Sequence, residues 1–281
     1  MIVKSTTAFA WTNPANVAVV TGGASGIGRA VTIRLLRDGL TVVAVGRSAS
    51  LVSQQHLSNS KNSIRRADVL AALRQSIPDE EQKNRLFTLS GDVSVSTERV
   101  RLFKHILDKH PNTNILINNA GIQRHVHDLK SADWENAEKE ISINFSAPVH
   151  LCTLFSEHFK AQGITALVAN VTSGLSFVPM ASVPVYCGTK AALHSFTWSL
   201  RHNLKDTAIT VVEIIPPAVD TDLQAPGLHT FGVNVDEYAD DLWKRLKEGE
   251  IEVGYAMAEK GRIGYRASIG PLFDAINNRA H

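Results

Sequence analysis

The chain has 281 residues, of which 44% are hydrophobic and 20% are charged, a composition typical of a globular protein with one large core. Its formal net charge of +2 lacks the basic excess of nucleic-acid-binding proteins. It also contains no run of about 18 apolar residues that would cross a membrane. Two cysteines, Cys152 and Cys187, without CxxC spacing, favour neither a disulfide framework nor a zinc site. With no secretory signal in residues 1–16, we expect a cytoplasmic protein without nucleic-acid, membrane or metal partners.

Short apolar runs alternate with helical patterns along most of the chain. The runs lack polar alternation, which indicates strands covered on both faces, as in a parallel sheet between helices. They occupy residues 17–20, 41–45, 86–89, 115–117, 166–171 and 209–215. Helical patterns fill the intervals at 28–38, 95–109, 134–162 and 186–205. This rhythm predicts a single α/β domain over residues 1–281, a Rossmann-type doubly wound parallel sheet with helices on both faces.

Two regions depart from this rhythm. Residues 48–84 exceed the length of one crossover and are rich in Ser, Asn and Gln, so we expect an extended surface insertion with a helix near 64–76. After Thr221 the alternation stops, and one helical pattern follows at 235–247. Substrate-covering elements of open α/β sheets lie beyond the carboxyl ends of the strands. Residues 222–250 are therefore predicted to form a small helical substrate lid.

The first predicted strand leads into a glycine-rich turn and then a helix. The turn, TGGASGIG at residues 21–28, allows positive φ and leaves room for a pyrophosphate at the helix N-terminus. Strand, turn and helix together favour dinucleotide binding over a plain glycine-rich turn. The spacing resembles the TGxxxGxG loop of the short-chain dehydrogenase/reductase family, and further motifs extend this resemblance from about residue 17 to 221.

The family resemblance implies a set of cofactor contacts. The segment Asn-Asn-Ala-Gly at 118–121 matches the family's NNAG motif, and 92–93 matches the segment that brackets adenine. Residues 219 and 221 match positions that hold the carboxamide and the phosphates, although Pro217 stands where relatives usually have glycine. The implied cofactor-binding residues are Gly22, Ser25, Gly26, Ile27, Gly28, Arg47, Asp92, Val93, Asn119, Tyr186, Lys190, Val219 and Thr221.

The end of the second predicted strand indicates which nicotinamide cofactor is bound. An acidic residue there would select NAD by hydrogen bonding the ribose 2′-OH. Gly46 and Arg47 occupy these positions, and a guanidinium suits the 2′-phosphate of NADP. Against NADP, Ser25 stands where NADP-preferring relatives often carry a basic residue. We predict NADP, with NAD as the alternative, in which case Arg47 stacks on adenine or caps the strand.

Tyr186 and Lys190 lie four residues apart at the start of a helical pattern and so share one face. A free tyrosine has a pKa of about 10, and a nearby ammonium favours the phenolate, which lowers that pKa. The family resemblance assigns Ser173, 13 residues before Tyr186, to polarise the substrate oxygen. It also assigns Lys190 to the nicotinamide ribose and Asn144 to a proton relay through a water. YxxxK alone would be an ordinary exposed pair, and Asn144 alone an ordinary polar residue of the helix.

These residues predict an NADP-preferring oxidoreductase that moves a hydride between its cofactor and a carbonyl or alcohol, with Tyr186 as the acid/base. The segments PPAVDT at 216–221 and NVTSGLSFVP at 170–179 look like the oxidoreductase encoded in lipoteichoic-acid D-alanylation operons, a resemblance that fixes no substrate. One alternative is a nucleotide-sensing regulatory protein without catalysis. Another is epimerase or dehydratase chemistry on the same scaffold.

Three features receive more modest interpretations. His125 and His127 show no third metal ligand, so we interpret them as loop residues near the substrate. Cys187 is interpreted as a small packed residue rather than a redox sensor. The helices at 134–162 and 186–205 carry apolar stripes; the family resemblance implies that they pair in a homodimer or homotetramer, although core burial would explain the stripes equally well.

Overall fold

A computed structural model describes residues 2–4, 9–47, 69–125, 134–221, 223 and 232–277. Within these ranges, seven parallel strands form one sheet in the order β3-β2-β1-β4-β5-β6-β7. The strands are β1 Val17–Thr21, β2 Thr41–Gly46, β3 Leu86–Ser90, β4 Thr113–Asn118, β5 Ala166–Val171, β6 Ile209–Ile215 and β7 Glu252–Gly254. The strand order reverses between β1 and β4, which is where open α/β sheets bind their ligands.

Helices connect the strands and cover both faces of the sheet. They are α1 Gly26–Arg37, α2 Val69–Ser76, α3 Glu80–Arg85, α4 Ser96–Lys109, α5 Trp134–Ile141, α6 Ala147–Gln162, α7 Pro184–Asn203, α8 Val235–Lys247 and α9 Ala256–Asn277. Helix α7 begins at Pro184, which suits a first turn because the missing N–H has no partner there anyway. Helix α6 ends at Gly163, whose φ of 61° is left-handed.

Alternate residues of the strands point to opposite faces of the sheet and pack into two separate apolar cores. On one face, Val20 and Ala44 pack in a cluster with Leu35 of α1 and Leu242 of α8. On the other face, Val19 and Val43 pack in a cluster that contains Leu151 and Phe155 of α6. Both faces of the sheet are therefore buried, and the predicted doubly wound α/β fold is confirmed.

The carboxyl-terminal part of the chain differs from the sequence interpretation. The strand–helix alternation does not stop at Thr221, because α8 is followed by β7, which pairs with β6, and then by the long helix α9. The predicted helix over 134–162 is also not continuous. A π-helical turn at Ser142–Ser146 separates α5 from α6. Neither feature has a strong local signal, since β7 is three residues long and contains Glu252.

Helix α8, within the predicted lid at 222–250, is anchored to the helical layer beside α1. The buried Arg34 of α1 pairs with Asp236 at 3.4 Å and with Asp240 at 2.7 Å. The indole of Trp243 donates to Asp38 Oδ2 at 2.8 Å. Residues 222 and 224–231 lie outside the described ranges. That the segment covers a substrate stays a prediction.

The predicted insertion at 48–84 is described only from Val69 onward. Leu73 and Ile77 are 1% and 2% exposed and belong to the core on the α1 face. This described part therefore packs into the domain, while residues 48–68, with part of the predicted helix at 64–76, lie outside the described ranges. In the described part of the chain, no helix combines the length and apolarity needed to span a bilayer.

Candidate active site

The glycine-rich turn between β1 and α1 is shaped by close backbone contacts. Gly22 and Gly26 have φ of 65° and 49°, a conformation that favours glycine. A Cβ at Gly22 would lie 2.9 Å from Asn119 Nδ2, and a Cβ at Gly28 would overlap the Gly22 carbonyl oxygen. The turn therefore presents bare backbone at the start of α1, as a bound pyrophosphate requires.

The residues around this turn leave its outer surface open. Ser25 is exposed, has extended backbone and makes no side-chain cap to α1, whose first turn carries no acidic residue. Ile27 is half-buried in that first turn and packs against the core. A Cβ at Gly26 would lie 3.3 Å from Thr221, so Thr221 borders the turn, and Val219 nearby is 4% exposed. An anion at the N-terminus of α1 would meet N–H groups and the positive end of the helix dipole.

Asn119 fastens the ends of β1 and β4 to each other. Its backbone N–H donates to Thr21 Oγ1 at 3.0 Å, and its side chain donates to the carbonyl oxygens of Thr21 at 3.0 Å and Gly22 at 3.3 Å. The N–H of Ala120 also donates to Thr21 Oγ1. The NNAG segment thereby holds the glycine turn in place from the neighbouring strand.

The predicted adenine-side residues meet at the carboxyl ends of β2 and β3. The N–H of Gly91 donates to the Gly46 carbonyl oxygen at 3.0 Å, which brings the chain before Asp92 beside Arg47. Asp92 Oδ1 accepts from the N–H and hydroxyl of Ser94. Val93 is 8% exposed, and Arg47 is half-buried. These side chains lie along one edge of the sheet, beside the glycine turn.

Ser173, Tyr186 and Lys190 converge at the carboxyl end of β5. Ser173 follows β5, and its Oγ accepts from the N–H of Leu175 at 3.1 Å and lies close enough to the Tyr186 hydroxyl to lower the pKa of that phenol. Tyr186 lies in the first turn of α7 and is 6% exposed. One turn later, Lys190 Nζ donates to the Val171 carbonyl oxygen at 2.7 Å and lies 5.7 Å from the centre of the Tyr186 ring.

Burial controls the protonation of this group. Burial raises the pKa of Tyr186 to about 12, and the nearby Ser173 hydroxyl offsets only part of that rise. Burial also lowers the pKa of Lys190 to about 8. That Lys190 lowers the pKa of Tyr186 stays a prediction. The ammonium is directed at a backbone carbonyl, and desolvation of the phenol is the larger effect.

Asn144 lies beside Lys190 because of the π-helical turn. Its Oδ1 accepts from the N–H of Ile122 at 2.9 Å, and its Nδ2 donates to the Ile122 carbonyl oxygen at 2.8 Å and to Thr189 Oγ1 at 3.2 Å. A Cβ at Gly121 would lie 3.4 Å from Asn144 Oδ1 and 3.6 Å from Lys190 Nζ. The buried amide thus connects the NNAG loop to α7 next to the lysine.

A buried polar cluster behind Ser173 was missed by the sequence interpretation. Thr172, directly before Ser173, donates its hydroxyl to Glu213 Oε1 at 2.7 Å. Glu213 also bonds His194 Nδ1 at 2.9 Å, and all three side chains are buried. The one available signal was a carboxylate in the apolar run at 209–215. The cluster positions the backbone that carries Ser173.

Two further residues can be placed. Cys187 is buried with a free thiol, and its Sγ accepts from the N–H of Met180 at 3.3 Å, as expected for a packed residue. His125 is exposed on the chain that follows the NNAG loop. His127 lies outside the described residues, so the interpretation of the two histidines stays a prediction.

Comparisons with known proteins agree with this geometry. A family model described as short chain dehydrogenase matches residues 16–72 and 61–230. An uncharacterized oxidoreductase of Bacillus subtilis (strain 168), DltE, is 38% identical over 270 residues, covering 94% of this chain and 97% of the relative. A benzil reductase ((S)-benzoin forming) of the same organism is 26% identical over 209 residues, covering 74% of this chain and 76% of the relative.

Solved structures show the same fold. The short-chain dehydrogenase from Sphingobium yanoikuyae in complex with NADPH superposes with a TM-score of 0.71 at 21% identity, over 95% of this chain and 98% of that one. The predicted resemblance to this family, and within it to the oxidoreductase of lipoteichoic-acid D-alanylation operons, is confirmed by the family model and by the match to DltE. The protein is an NAD(P)-dependent dehydrogenase or reductase that acts on CH–OH or carbonyl groups. The chain belongs to the short-chain dehydrogenase family.

Proposed function

We propose that this enzyme is an NADP-preferring carbonyl reductase or alcohol dehydrogenase in which Tyr186 is the acid/base. The observation that carries the proposal is the convergence of the buried Ser173, Tyr186 and Lys190 at the carboxyl end of β5, with Lys190 Nζ 5.7 Å from the centre of the Tyr186 ring. This group lies at the same edge of the sheet as the glycine turn. Its chemistry needs one proton donor and one polarising hydroxyl beside a carbonyl carbon.

The roles of the side chains follow from their protonation states. With a pKa of about 12, Tyr186 is a neutral phenol at neutral pH and can give its proton to a carbonyl oxygen. Ser173 donates to the same oxygen and stabilises its developing charge. Lys190 is positioned to bond the nicotinamide ribose, and Asn144 holds the relay beside it. The reverse reaction uses the same groups in the opposite order.

The glycine turn fits a dinucleotide because its tight packing admits no side chain at Gly22 or Gly28, where a Cβ would collide with Asn119 or with the Gly22 carbonyl oxygen, so backbone N–H groups line the start of α1. When bound, the nicotinamide supplies or accepts the hydride. Backbone N–H groups of residues 25–28 would hold the pyrophosphate, and Thr221 would close over it. Asp92, Val93 and Asn119 are assigned to the adenine side and to the connection between the strands.

NADP is proposed because Arg47, and no acidic residue, follows β2. Arg47 is half-buried and directly follows β2, at the end of the strand where a 2′-phosphate would project, and the exposed hydroxyl of Ser25 can donate to the same group. Solved relatives in complex with NADPH or NADP support this choice, while another is in complex with NAD.

The substrate is proposed to be an uncharged carbonyl compound with an apolar body. Val178 and Met180, in the segment that follows Ser173, are 62% and 46% exposed, so they offer apolar contacts near the reacting groups. The benzil reductases among the relatives support this class. A homodimer or homotetramer with a cytoplasmic location completes the proposal.

A panel of apolar ketones, diketones and aldehydes tests the reaction type. We expect NADPH oxidation, followed by absorbance, with at least one apolar carbonyl, and equal amounts of alcohol product by chromatography. A nucleotide sensor would bind NADPH without turnover. An epimerase would convert its substrate without net loss of NADPH, and either result would contradict the proposal.

Arg47→Ala tests the cofactor preference. Loss of a charge-assisted contact to the 2′-phosphate should lower the NADPH/NADH ratio of kcat/KM by about tenfold, equivalent to about 1.4 kcal/mol. Arg37→Ala, in the last turn of α1, is the matched control and should leave the ratio unchanged. An unchanged ratio in the Arg47 variant would remove this residue from the assignment.

A further inference from the structure

Glu140, near the end of α5, is a buried carboxyl group that the mechanism above does not use. Its side chain is 1% exposed, and its Oε1 has no hydrogen-bond partner among the described residues. Burying a carboxyl with an unmatched oxygen is unfavourable, so such a group is usually retained for an interaction with another charge. The exposed carboxylates of the same helix, Glu135 and Glu138, carry no such cost.

The position of Glu140 brings it toward the catalytic lysine. Asn144 follows it by four residues along the continuous α5–π-turn backbone, and Asn144 bonds Thr189, the neighbour of Lys190. Helix α5 packs against α7. Two charged groups act electrostatically on Glu140: Arg124, on the chain after the NNAG loop, and Lys190, on α7. Glu140 in turn acts on the hydroxyl of Tyr186.

Lys190 has little else to keep it charged. It is 3% exposed, and the groups in contact with its Nζ, the carbonyl oxygen of Val171 and the face of the Tyr186 ring, are uncharged. Burial lowers the pKa of Lys190 to about 8, and the carboxyl of Glu140 acts in the opposite direction by raising it. An ammonium that must work near neutral pH therefore depends on this carboxylate.

The carboxyl of Glu140 titrates at a lower pH than the ammonium of Lys190. Burial raises the pKa of Glu140 to about 7, against the opposing fields of Arg124 and Lys190. With pKa values of about 7 and about 8, the carboxyl is mostly ionised at the pH where Lys190 is half deprotonated. The negative charge is present over the pH range in which the ammonium would otherwise be lost.

We propose that Glu140 is a positioning residue that holds Lys190 in its ammonium form during turnover, through the field of its buried carboxylate. The proposal rests on the function proposed above, because it assigns Glu140 to support the same lysine. Neither substrate nor cofactor touches Glu140 in this scheme. It acts through Lys190, and its effect is therefore a shift in pH dependence.

The pH dependence of kcat/KM for NADPH-driven carbonyl reduction tests the proposal. In Glu140→Gln, the amide keeps the size of the side chain and removes its charge, so the alkaline limb should move to lower pH by about one unit. Activity at pH 6 and below should change little, because Lys190 stays mostly protonated there in both proteins. Glu140→Asp keeps the charge and should retain most of the alkaline limb. Glu138→Gln, on the exposed side of α5, is the matched control and should leave the profile unchanged.

Direct titration of Lys190 separates this proposal from the proposed function. In wild-type protein with ¹³C-labelled lysine, the Lys190 Cε resonance, assigned by its loss in Lys190→Arg, should show a second inflection near pH 7 as Glu140 ionises. In folded Glu140→Gln that inflection should vanish and the main midpoint should fall by about one unit. A single wild-type transition would contradict the proposal, even if Glu140→Gln failed to fold. If the second inflection is seen but the protein reduces no carbonyl compound, the role of Glu140 toward Lys190 stands and the proposed reaction is contradicted.

Discussion

The two halves of the sheet are built with different chemistry. On the cofactor side, β1, β2 and β4 contain no charged residue. The bonds from Asn119 in this half run to the backbone carbonyl oxygens of Thr21 and Gly22. Around β6 and β7, the sheet contains charges. Glu213 and Glu252 are both fully buried and face each other as partners in adjacent strands.

The carboxylates of β6 and β7 are held by separate partners. Glu252 accepts from Arg201 of α7 at 2.6 Å and from Arg266 of α9 at 2.6 Å, and it pairs with the buried Arg262 of α9 at 3.4 Å. Glu213 is held by Thr172 and His194, as described above. The charged half therefore binds α7 and α9 to the sheet, while the glycine half leaves its surface open for a ligand.

This difference has a direct consequence for stability. Adding a side chain to the glycine turn should block cofactor binding by the exposed backbone. Removing one charge from the buried ion-pair network of β6 and β7 should instead lower the stability of the fold. The variants below test this contrast, with the largest effect on folding first.

Glu252→Gln should destabilise the protein strongly, because three arginines lose a buried countercharge. We expect the free energy of unfolding to fall by about 3 kcal/mol, measured by urea denaturation. Glu81→Gln is the matched control, since Glu81 pairs with Arg85 on the surface, and it should change stability by less than about 0.5 kcal/mol. Equal losses of unfolding free energy in Glu252→Gln and Glu81→Gln would contradict the proposed stabilising role of the buried charge network.

Gly28→Ala should affect the cofactor side with a smaller loss of stability. The added methyl group would overlap the carbonyl oxygen of Gly22 and the Asn119 amide, so the turn must shift. We expect a loss of about 1–3 kcal/mol together with loss of NADPH binding, followed by quenching of protein fluorescence. The control Gly264→Ala, in α9 with open space around its Cα, should stabilise by about 0.5–1 kcal/mol. Normal NADPH affinity in Gly28→Ala would contradict the assignment of the glycine turn to cofactor binding.

The cofactor half could be predicted from the sequence because its function constrains local residues. Three features of this half are set by neighbouring residues in the chain or by the ligand: the glycine spacing at 21–28, the apolar runs of the strands and the NNAG segment. The carboxyl ends of parallel strands meet at one edge, so Ser173, Tyr186 and the glycine turn were expected there. The structure places them at that edge.

The charged half could not be predicted in the same way. The strand β7 contains Glu252, whose partners lie 51 residues before it and 14 residues after it along the chain. The burial of Glu140 and the high pKa of Tyr186 depend on the packing of α5 against α7, which no local pattern reports. The π-helical turn that contains Asn144 is likewise not reported by a local pattern, although Pro148 in the next helical turn lacks the N–H that would continue the α-helical hydrogen bonds.

The central claim is that Tyr186 gives and takes the proton that accompanies hydride transfer. Tyr186→Phe removes one hydroxyl and keeps the ring, so NADPH affinity and thermal unfolding should be nearly unchanged. Tyr238→Phe is the matched control, since Tyr238 is 1% exposed and its hydroxyl lies buried within the α8 layer. We expect kcat for NADPH-driven carbonyl reduction to fall by about 10²–10⁴-fold in Tyr186→Phe and to stay at the wild-type level in the control. A wild-type kcat in Tyr186→Phe would contradict the account.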